Sequence, residues 1–454
     1  MYNSFNFKKN SYLTNETISV SSGEYSLMRK ISQSQIKILK MVLAYNAKDF
    51  TLAPYLSSSD FNLGFYHMNF WRSKKNIFKF IFAFFKEIYS IMSASDYEMK
   101  GNLSNLSNFK SIVVTWGNDD SIKNNLYYDK YFNSSSKDNS ILWVVIYSGK
   151  KVFFNHNVIA IIKTKISFYR RFKNSIFFFI SLFRKKKNLH KFTYNYFLAK
   201  KFGKIFNKII KRLTLTNDCK FFLPYESQPF QNNLIKIIKT YKKEVKIFGY
   251  IHSFPAFPSH LAKKTINPDF LILNSKDQVY SFKNYLKWND KNIIFLPSLR
   301  FKKNNNPSDL IKKIFLPIKF YSIEGICNKI SELNKIYNLK EFDIKNHPTA
   351  KNSTKHLKLI NAIKKIIYFN DNSRLSSNVS IFIGSTGAII EALNNGVEPI
   401  HIMENIEFEI YSQKLWPSIK SKFIEDKIVN YKLLKKNIIN TDNNLTFDYY
   451  LKLD

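Results

Sequence analysis

Residues 379–403, VSIFIGSTGAIIEALNNGVEPIHIM, set a loop of small residues, Gly384-Ser385-Thr386-Gly387, between a β-branched apolar run and a helical stretch that ends at Gly396. Such a loop belongs beyond the carboxyl end of a strand and at the start of a helix. There the free backbone N–H groups, the hydroxyls of Ser385 and Thr386 and the helix dipole all favour a bound phosphate. Glu391, further along the helix, is spaced to accept from the hydroxyls of a ribose. The same residues also make an ordinary strand-to-helix turn with Ser or Thr as its cap, and Glu391 an ordinary solvated helix position.

A second segment, FDIKNHPTA at residues 342–350, ends a strand on His347-Pro348. Proline prevents regular continuation, so His347 is expected at the carboxyl edge of a sheet. There its imidazole can donate to a phosphate oxygen, and Lys345 adds positive charge. A helix and a strand separate His347 from Ser385, a spacing that returns both to the same edge.

The elements that must position these residues are regular from Lys220 onward. KFFLPY, a helix over 229–241, VKIFGYIH, FLILN and NIIFLPS come first. Strands at 314–317, 341–345, 379–383 and 399–403 then alternate with helices at 322–337, 355–365 and 387–395. This alternation is the mark of βαβ units and a parallel sheet. Upstream, SIVVTW (111–116) and ILWVVIY (141–147) read as buried strands, and residues 36–45 as a helix or strand. From about residue 157 to 213 the chain is basic and aromatic and, apart from Gly203, free of Gly and Pro, so a helical insertion is expected. The pattern predicts an α/β chain of two Rossmann-like domains facing across a cleft, 1–300 and 301–454, joined near 298–308.

A length of 454 residues suits two or three domains. With 45% hydrophobic residues and only 11 Gly and 12 Pro, the chain is neither fibrous nor of low complexity. The net charge of +38 raises nucleic acid and anionic membrane as partners. Lys, however, far outnumbers Arg and comes with abundant Asn, Ile, Phe and Tyr, the mixture an A/T-rich genome produces. No zinc-finger, basic-zipper or RNA-recognition signature is present, and no specific nucleic-acid partner is expected. Residues 77–92, interrupted by Lys79 and Lys86, and 175–183, flanked by Arg170, Arg171, Lys173 and Arg184, fall short of the roughly 18 apolar residues that span a bilayer. Their composition suits interfacial helices on anionic lipid, and equally buried helices of a Lys-rich protein. Cys219 and Cys327 have neither disulfide nor metal spacing, and the polar N-terminus lacks a secretory core. The expected location is the cytoplasm, with peripheral attachment to the inner membrane.

His-Pro after one strand and Ser-Thr after the next resemble the paired nucleotide-binding motifs of bacterial polysialyltransferases and capsule Kdo transferases. They resemble, less closely, those of CDP-glycerol glycerophosphotransferases. Over residues 116–403 the chain is also similar to bacterial surface-carbohydrate (capsule or lipopolysaccharide) biosynthesis proteins. The matching pieces are Thr115-Trp116-Gly117, Tyr128-Asp129-Lys130-Tyr131-Phe132, Leu142-Trp143, Pro224-Tyr225-Glu226-Ser227-Gln228-Pro229-Phe230 and Gly249-Tyr250-Ile251-His252-Ser253. The first hundred residues and 150–215 fall outside it. The resemblance implies a GT-B glycosyltransferase whose C-terminal domain holds the nucleotide phosphate through His347, Pro348, Ser385 and Thr386. The donor would be a nucleotide sugar, such as a CMP-activated sialic acid or Kdo, bound as substrate; no cofactor is expected. The acceptor would be a glycan or glycolipid.

An inverting transfer needs a base for the acceptor hydroxyl. Glu226 follows a strand and precedes a helix at Pro229, which faces it into the cleft; a carboxylate stabilised by the helix dipole would occupy the same place. His252, at the end of the next strand, competes with it. Polysialyltransferases carry their base on an acidic-acidic-Gly motif. This chain has Asp119-Asp120-Ser121 there, without the Gly, so Asp120, with Asp119 and Asp129 near it, ranks below Glu226. No Asp-x-Asp motif sits at a strand end and the eight His lack ligand spacing. Metal-independent transfer is therefore expected, with a cationic cleft and a helix dipole stabilising the departing phosphate. Two alternatives stay open: a CDP-glycerol-type polyol-phosphate transferase, and a non-enzymatic basic protein that binds membrane or nucleic acid.

Overall fold

A computed structural model describes residues 24–46, 89, 92, 95–101, 109–150, 156–165, 167–173, 176, 194–214, 218–301, 307–347, 353–368, 378–435 and 437–453. Pro348, most of 77–92 and all of 175–183 except Ile176 lie outside them.

The chain forms a mixed α/β fold on two large sheets and one small one. Helix α1 (Glu24–Asn46) leads into β1 (Asp96–Lys100) and β2 (Ser111–Gly117). The short strands β3 (Ile122–Lys123), β4 (Leu126–Asp129) and β5 (Ser134–Ser135) follow, then β6 (Ile141–Tyr147), β7 (Val158–Thr164) and α2 (Tyr194–Arg212). Next come β8 (Lys220–Pro224), α3 (Pro229–Tyr241), β9 (Lys246–Tyr250), β10 (Phe270–Leu273), α4 (Lys276–Tyr285) and β11 (Ile293–Phe295). The first large sheet has the order β1-β7-β6-β2-β8-β9-β10-β11. Its strands run parallel except β1, which is antiparallel to β7. SIVVTWG and ILWVVIY are each buried over their first five residues, because both faces of the sheet are covered and continuous apolar runs suit that environment. Pro229 starts α3, where its missing N–H has no intrahelical partner to lose.

The stretch expected to be helical from about 157 begins instead with strand β7, which extends the sheet beside β6. Its sequence, VIAIIKT, is dominated by β-branched residues that pack well on a pleated surface, and this local preference outweighs the scarcity of Gly and Pro. Helix is present at 168–173 and in α2.

The second large sheet contains β12 (Lys313–Phe315), β13 (Asp343–Lys345), β14 (Val379–Ile383), β15 (Glu398–Ile402), β16 (Ile419–Glu425) and β17 (Ile428–Leu433). Between them lie α5 (Ile323–Asn334), α6 (Thr354–Tyr368), α7 (Ala388–Asn394) and α8 (Ile406–Glu409). The order is β13-β12-β14-β15-β17-β16, parallel up to β15 and antiparallel beyond.

One buried apolar cluster runs from the first sheet into the second. In it Phe257 meets Phe408 at 5.4 Å and Phe254 meets Trp416 at 6.4 Å between ring centroids. Polar contacts follow the same seam. Trp416 Nε1–H donates to Ala256 O at 3.1 Å, and Asp277 accepts from the N–H and hydroxyl of Ser418, both at 2.8 Å. Helix α1 joins this seam through Gln35, whose amide donates to Glu407 O at 3.0 Å.

The last helix, α9 (Phe447–Leu451), lies on the first sheet although the second precedes it in the chain. Phe447 sits 4.8 Å from Phe132 and 5.2 Å from Phe222, and Tyr450 OH donates to Pro297 O at 2.7 Å. Phe447→Ala removes a buried aromatic from this cluster and should cost about 3–5 kcal/mol in denaturant titration. A loss below about 1 kcal/mol would mean that α9 contributes little to the first sheet.

Candidate functional site

Parallel strands place the residues after them along one edge. The register that pairs Pro224 of β8 with Tyr250 of β9 also sets Glu226 beside His252, each two residues past its strand. The two residues that sequence places in competition are partners: His252 Nε2 lies 3.3 Å from Glu226 Oε1. The side-chain amide of Gln228 donates to Glu226 Oε2 at 2.8 Å. Gln231 Oε1 accepts the N–H groups of Glu226 and Gln228 at 3.0 and 3.1 Å, while its amide donates to Pro224 O at 2.7 Å, so this one side chain braces the whole turn.

Burial works to raise the pKa of Glu226. The hydrogen bond and charge of His252, the Gln228 donor and the charge of His260 overcome it, and the carboxyl ends below its ordinary range. An ionised carboxylate only accepts, so the ring nitrogen facing it, His252 Nε2, is the one that carries a proton. His252 is 4% exposed, and its Nδ1 has no hydrogen-bond partner among the described residues. The side chain of Glu226 is 15% exposed. A carboxylate paired with an imidazole in this way can fix the ring's tautomer and support proton transfer. Around them stand Tyr131, 4.6 Å from the His252 ring, Trp116 at 6.2 Å, and Arg300, whose guanidinium donates to His252 O at 3.2 Å.

The second sheet brings its own strand ends to the same place. Tyr411 OH lies 2.7 Å from Phe254 O and 2.9 Å from Thr386 O, tying the segment after His252 to the Gly384–Gly387 loop. A Cβ on Gly387 would stand 3.5 Å from Phe254 N, which shows how closely the two backbones approach. Gly384 has φ +67°, a conformation glycine adopts without strain. Ser385 is exposed, whereas the Thr386 hydroxyl accepts from the N–H of Ala388, the first residue of the short helix α7, at 3.2 Å.

The charges of the two edges reach each other. His347 has its pKa lowered by burial and then by the charges of His356 and Lys130. Lys130 is lowered by burial and by the charge of Arg300, with Asp129 and Asp120 opposing. Glu391 is raised by burial, with Arg300 opposing. Lys130 and Arg300 from the first sheet, and His347 from the second, thus form a chain of nitrogen bases in which neighbours repel. Arg300 gave no sequence signal beyond its place after a strand in PSLRF.

The remaining candidates are placed as follows. Asp120 is exposed and accepts from Asn118 Nδ2 at 3.2 Å. Asp119 accepts from Tyr147 OH at 2.7 Å and from Lys150 N–H. Asp129 is fully buried under donors from Thr115, Tyr127 and the N–H groups of Tyr131 and Phe132. Lys345 is exposed at the end of β13, next to His347, and Pro348 lies outside the described residues. Among the described residues no cluster of three or more His, Cys, Asp or Glu is placed to hold a metal ion.

No protein-family model and no curated protein matches the sequence. Among solved structures, a glycosyltransferase from Rickettsia africae ESF-5 is similar at 11% identity and a TM-score of 0.32, over 67% of this chain and 87% of that one. Agreement this low transfers no activity. The chemistry has to come from the side chains.

His401 in β15 supports the Gly384 loop from beneath. Gly384 O can only accept, so the Nε2–H of His401 donates to it at 2.8 Å, and Nδ1 accepts from Tyr431 OH at 3.0 Å. Both nitrogens are used in the neutral ring, and burial lowers its pKa to about 4 from 6.5. The unfolded chain takes up this proton below pH 6.5 and the folded chain only near pH 4, so stability falls as pH drops through that window. His401→Gln should flatten this part of the stability profile. An unchanged slope over the same window would show that His401 is not held neutral.

Proposed function

We propose that this protein is a glycosyltransferase that moves a sugar from a nucleotide donor to a glycan or glycolipid acceptor, its two sheets forming the facing halves of a GT-B-like enzyme. The observation that carries the reading is the Glu226–His252 pair beside Tyr131, over whose ring Lys130 and Arg300 both stand, with the Gly384–Gly387 loop tied to the segment after His252 through Tyr411. Lys130 and Arg300, two cations held beside one ring, favour an anion between them, and a phosphate leaving group meets that need. A carboxylate–imidazole pair with a fixed tautomer next to it suits removal of a proton from an attacking hydroxyl. The division of labour has the donor phosphate on His347, Ser385, Gly387 and Arg300, the ribose near Glu391, and the acceptor hydroxyl at the pair. The resemblance of the His-Pro and Ser-Thr motifs favours a cytidine nucleotide, with CMP-activated sialic acid or Kdo as the first donors to try.

The test is a thermal-shift panel of CMP, CDP, UDP, GDP, their sugars and CDP-glycerol, since a ligand that binds only the native state raises the melting temperature. One nucleotide should stand out. Turnover of its sugar should fall at least about tenfold in His347→Ala or Ser385→Ala, and by roughly 10² to 10⁴ in Glu226→Gln with nucleotide affinity retained. Asp120→Asn should be mild. A panel without any shift overturns the reading, and a shift by CDP-glycerol alone replaces it with polyol-phosphate transfer.

Attachment to the surface of an anionic inner membrane is part of the same proposal, because an acceptor carried on lipid would be met there. Phe168, Tyr169 and Phe172 are 80%, 72% and 54% exposed, and Arg170, Arg171 and Lys173 alternate with them. No helix among the described residues is long and apolar enough to cross a membrane. At low salt the protein should sediment with phosphatidylglycerol vesicles and detach as salt rises. Equal partition onto phosphatidylcholine vesicles would remove the electrostatic part of this proposal.

A further inference from the structure

The turn that carries Glu226 is held from below by a lysine. Between β8 and α3 the backbone passes through Ser227 at φ +56°, a left-handed conformation uncommon for a residue with a side chain. Ser227 is 1% exposed, and its hydroxyl stands among three polar groups. Tyr225 OH approaches at 3.1 Å, Asn232 Nδ2 at 3.4 Å, and Lys264 Nζ completes the set. Asn232 Nδ2 also donates to Ser227 O at 3.1 Å. Lys264, 5% exposed, makes one further side-chain bond, to His260 O at 3.0 Å. Its backbone N–H donates to Asn267 Oδ1 at 2.8 Å, which fixes where the side chain starts.

Among the described residues no carboxylate pairs with this ammonium. A buried lysine without a counter-charge is unfavourable, and an apolar side chain of similar length would serve packing better. Burial alone brings the pKa of Lys264 down to about 7, in keeping with that penalty. What the lysine supplies in return is a donor aimed at Ser227, the residue after Glu226. A strained turn persists only when its surroundings hold it, and strain of this kind collects at functional sites.

We propose that Lys264 is a positioning residue: through Ser227 it holds the left-handed turn that aims Glu226 at His252. The assignment rests on the reading of Glu226 and His252 as the base pair of the reaction, and it makes that geometry depend on a residue touching neither substrate nor His252.

The test compares Lys264→Met, Ser227→Ala and Glu226→Ala in full-length protein labelled with ¹⁵N-histidine. Ring-nitrogen shifts report which nitrogen of His252 carries the proton, and His252→Gln identifies the signal. Lys264→Met and Ser227→Ala should each move the His252 signals toward their positions in Glu226→Ala. The melting temperature of Lys264→Met should equal or exceed that of the unaltered protein, because the buried ammonium is gone. For the sugar nucleotide that stands out in the thermal-shift panel, Lys264→Met should lower kcat about tenfold with KM unchanged, the pattern of a lost transition-state interaction. His252 signals unmoved by both variants would overturn the proposal. A melting temperature several degrees lower in Lys264→Met would overturn it too, by making the lysine an ordinary structural contact. If Glu226→Ala leaves turnover intact while Lys264→Met still displaces His252, the base assignment fails and the positioning contact stands.

Discussion

Every parallel strand of a sheet ends on the same edge, and the site depends on two such edges being held against each other. The first edge carries Gly117 after β2, Glu226 after β8, His252 after β9 and Arg300 after β11. The second carries His347 after β13 and the Gly384–Gly387 loop after β14. The Tyr411 hydroxyl, reaching both Phe254 O and Thr386 O, joins them, and a Cβ on Gly387 would lie in ordinary van der Waals contact with the Phe254 backbone. Loosening that contact would separate the Glu226–His252 pair from the Gly384–Gly387 loop and open the apolar cluster that the two sheets share.

Much of this was legible in the sequence because repetition carries information. The alternation of strand and helix after Lys220 locates β8, α3, β9 and β14 closely, since a continuous β-branched run and a proline-started amphipathic stretch each encode one local structure. Glu226 and His252 were visible as single residues at strand ends. Their partnership was not, because it follows from the register of β8 on β9, a tertiary property. Arg300, Lys264, Gln231 and His401 carry no periodic signal, and each acquires meaning only through the backbone or side chain it meets. The strand β7 shows the opposite difficulty: its local preference was present in VIAIIKT and was masked by the basic, aromatic composition of residues 165–213.

Composition hides the functional cations as well. In a chain with 71 Lys and Arg, one more positive residue near a cleft says nothing. Lys130 and Arg300 differ from the background in their neighbours. Most surface cations can move apart or find a carboxylate, as Lys335 does with Glu332 at 2.8 Å. Lys130 and Arg300 stand over one ring, that of Tyr131, at 5.1 and 5.9 Å from its centroid. Repulsion kept in a folded protein is a cost that a bound anion would offset, so it points to a ligand more strongly than net charge does.

The contrast between Asp129 and Glu226 decides which carboxylate can do chemistry. Both stand near Tyr131, and both are shielded from water. Asp129 receives four hydrogen bonds, is fully buried, and its pKa is raised by burial in spite of those donors. It fixes the loop after β4 and has no open face toward a substrate. Glu226 receives an amide on one oxygen and an imidazole on the other, stays ionised, and remains partly open. A proton taken up by His252 Nδ1 would place an imidazolium directly against that carboxylate, so the charge created by the chemical step is met by a group already in position. Asp129 offers no such partner. The buried lysine beneath Ser227 fits the same logic: the turn that presents Glu226 is held by donors at some expense of stability, whereas Asp129 lies in a network where every interaction serves the fold.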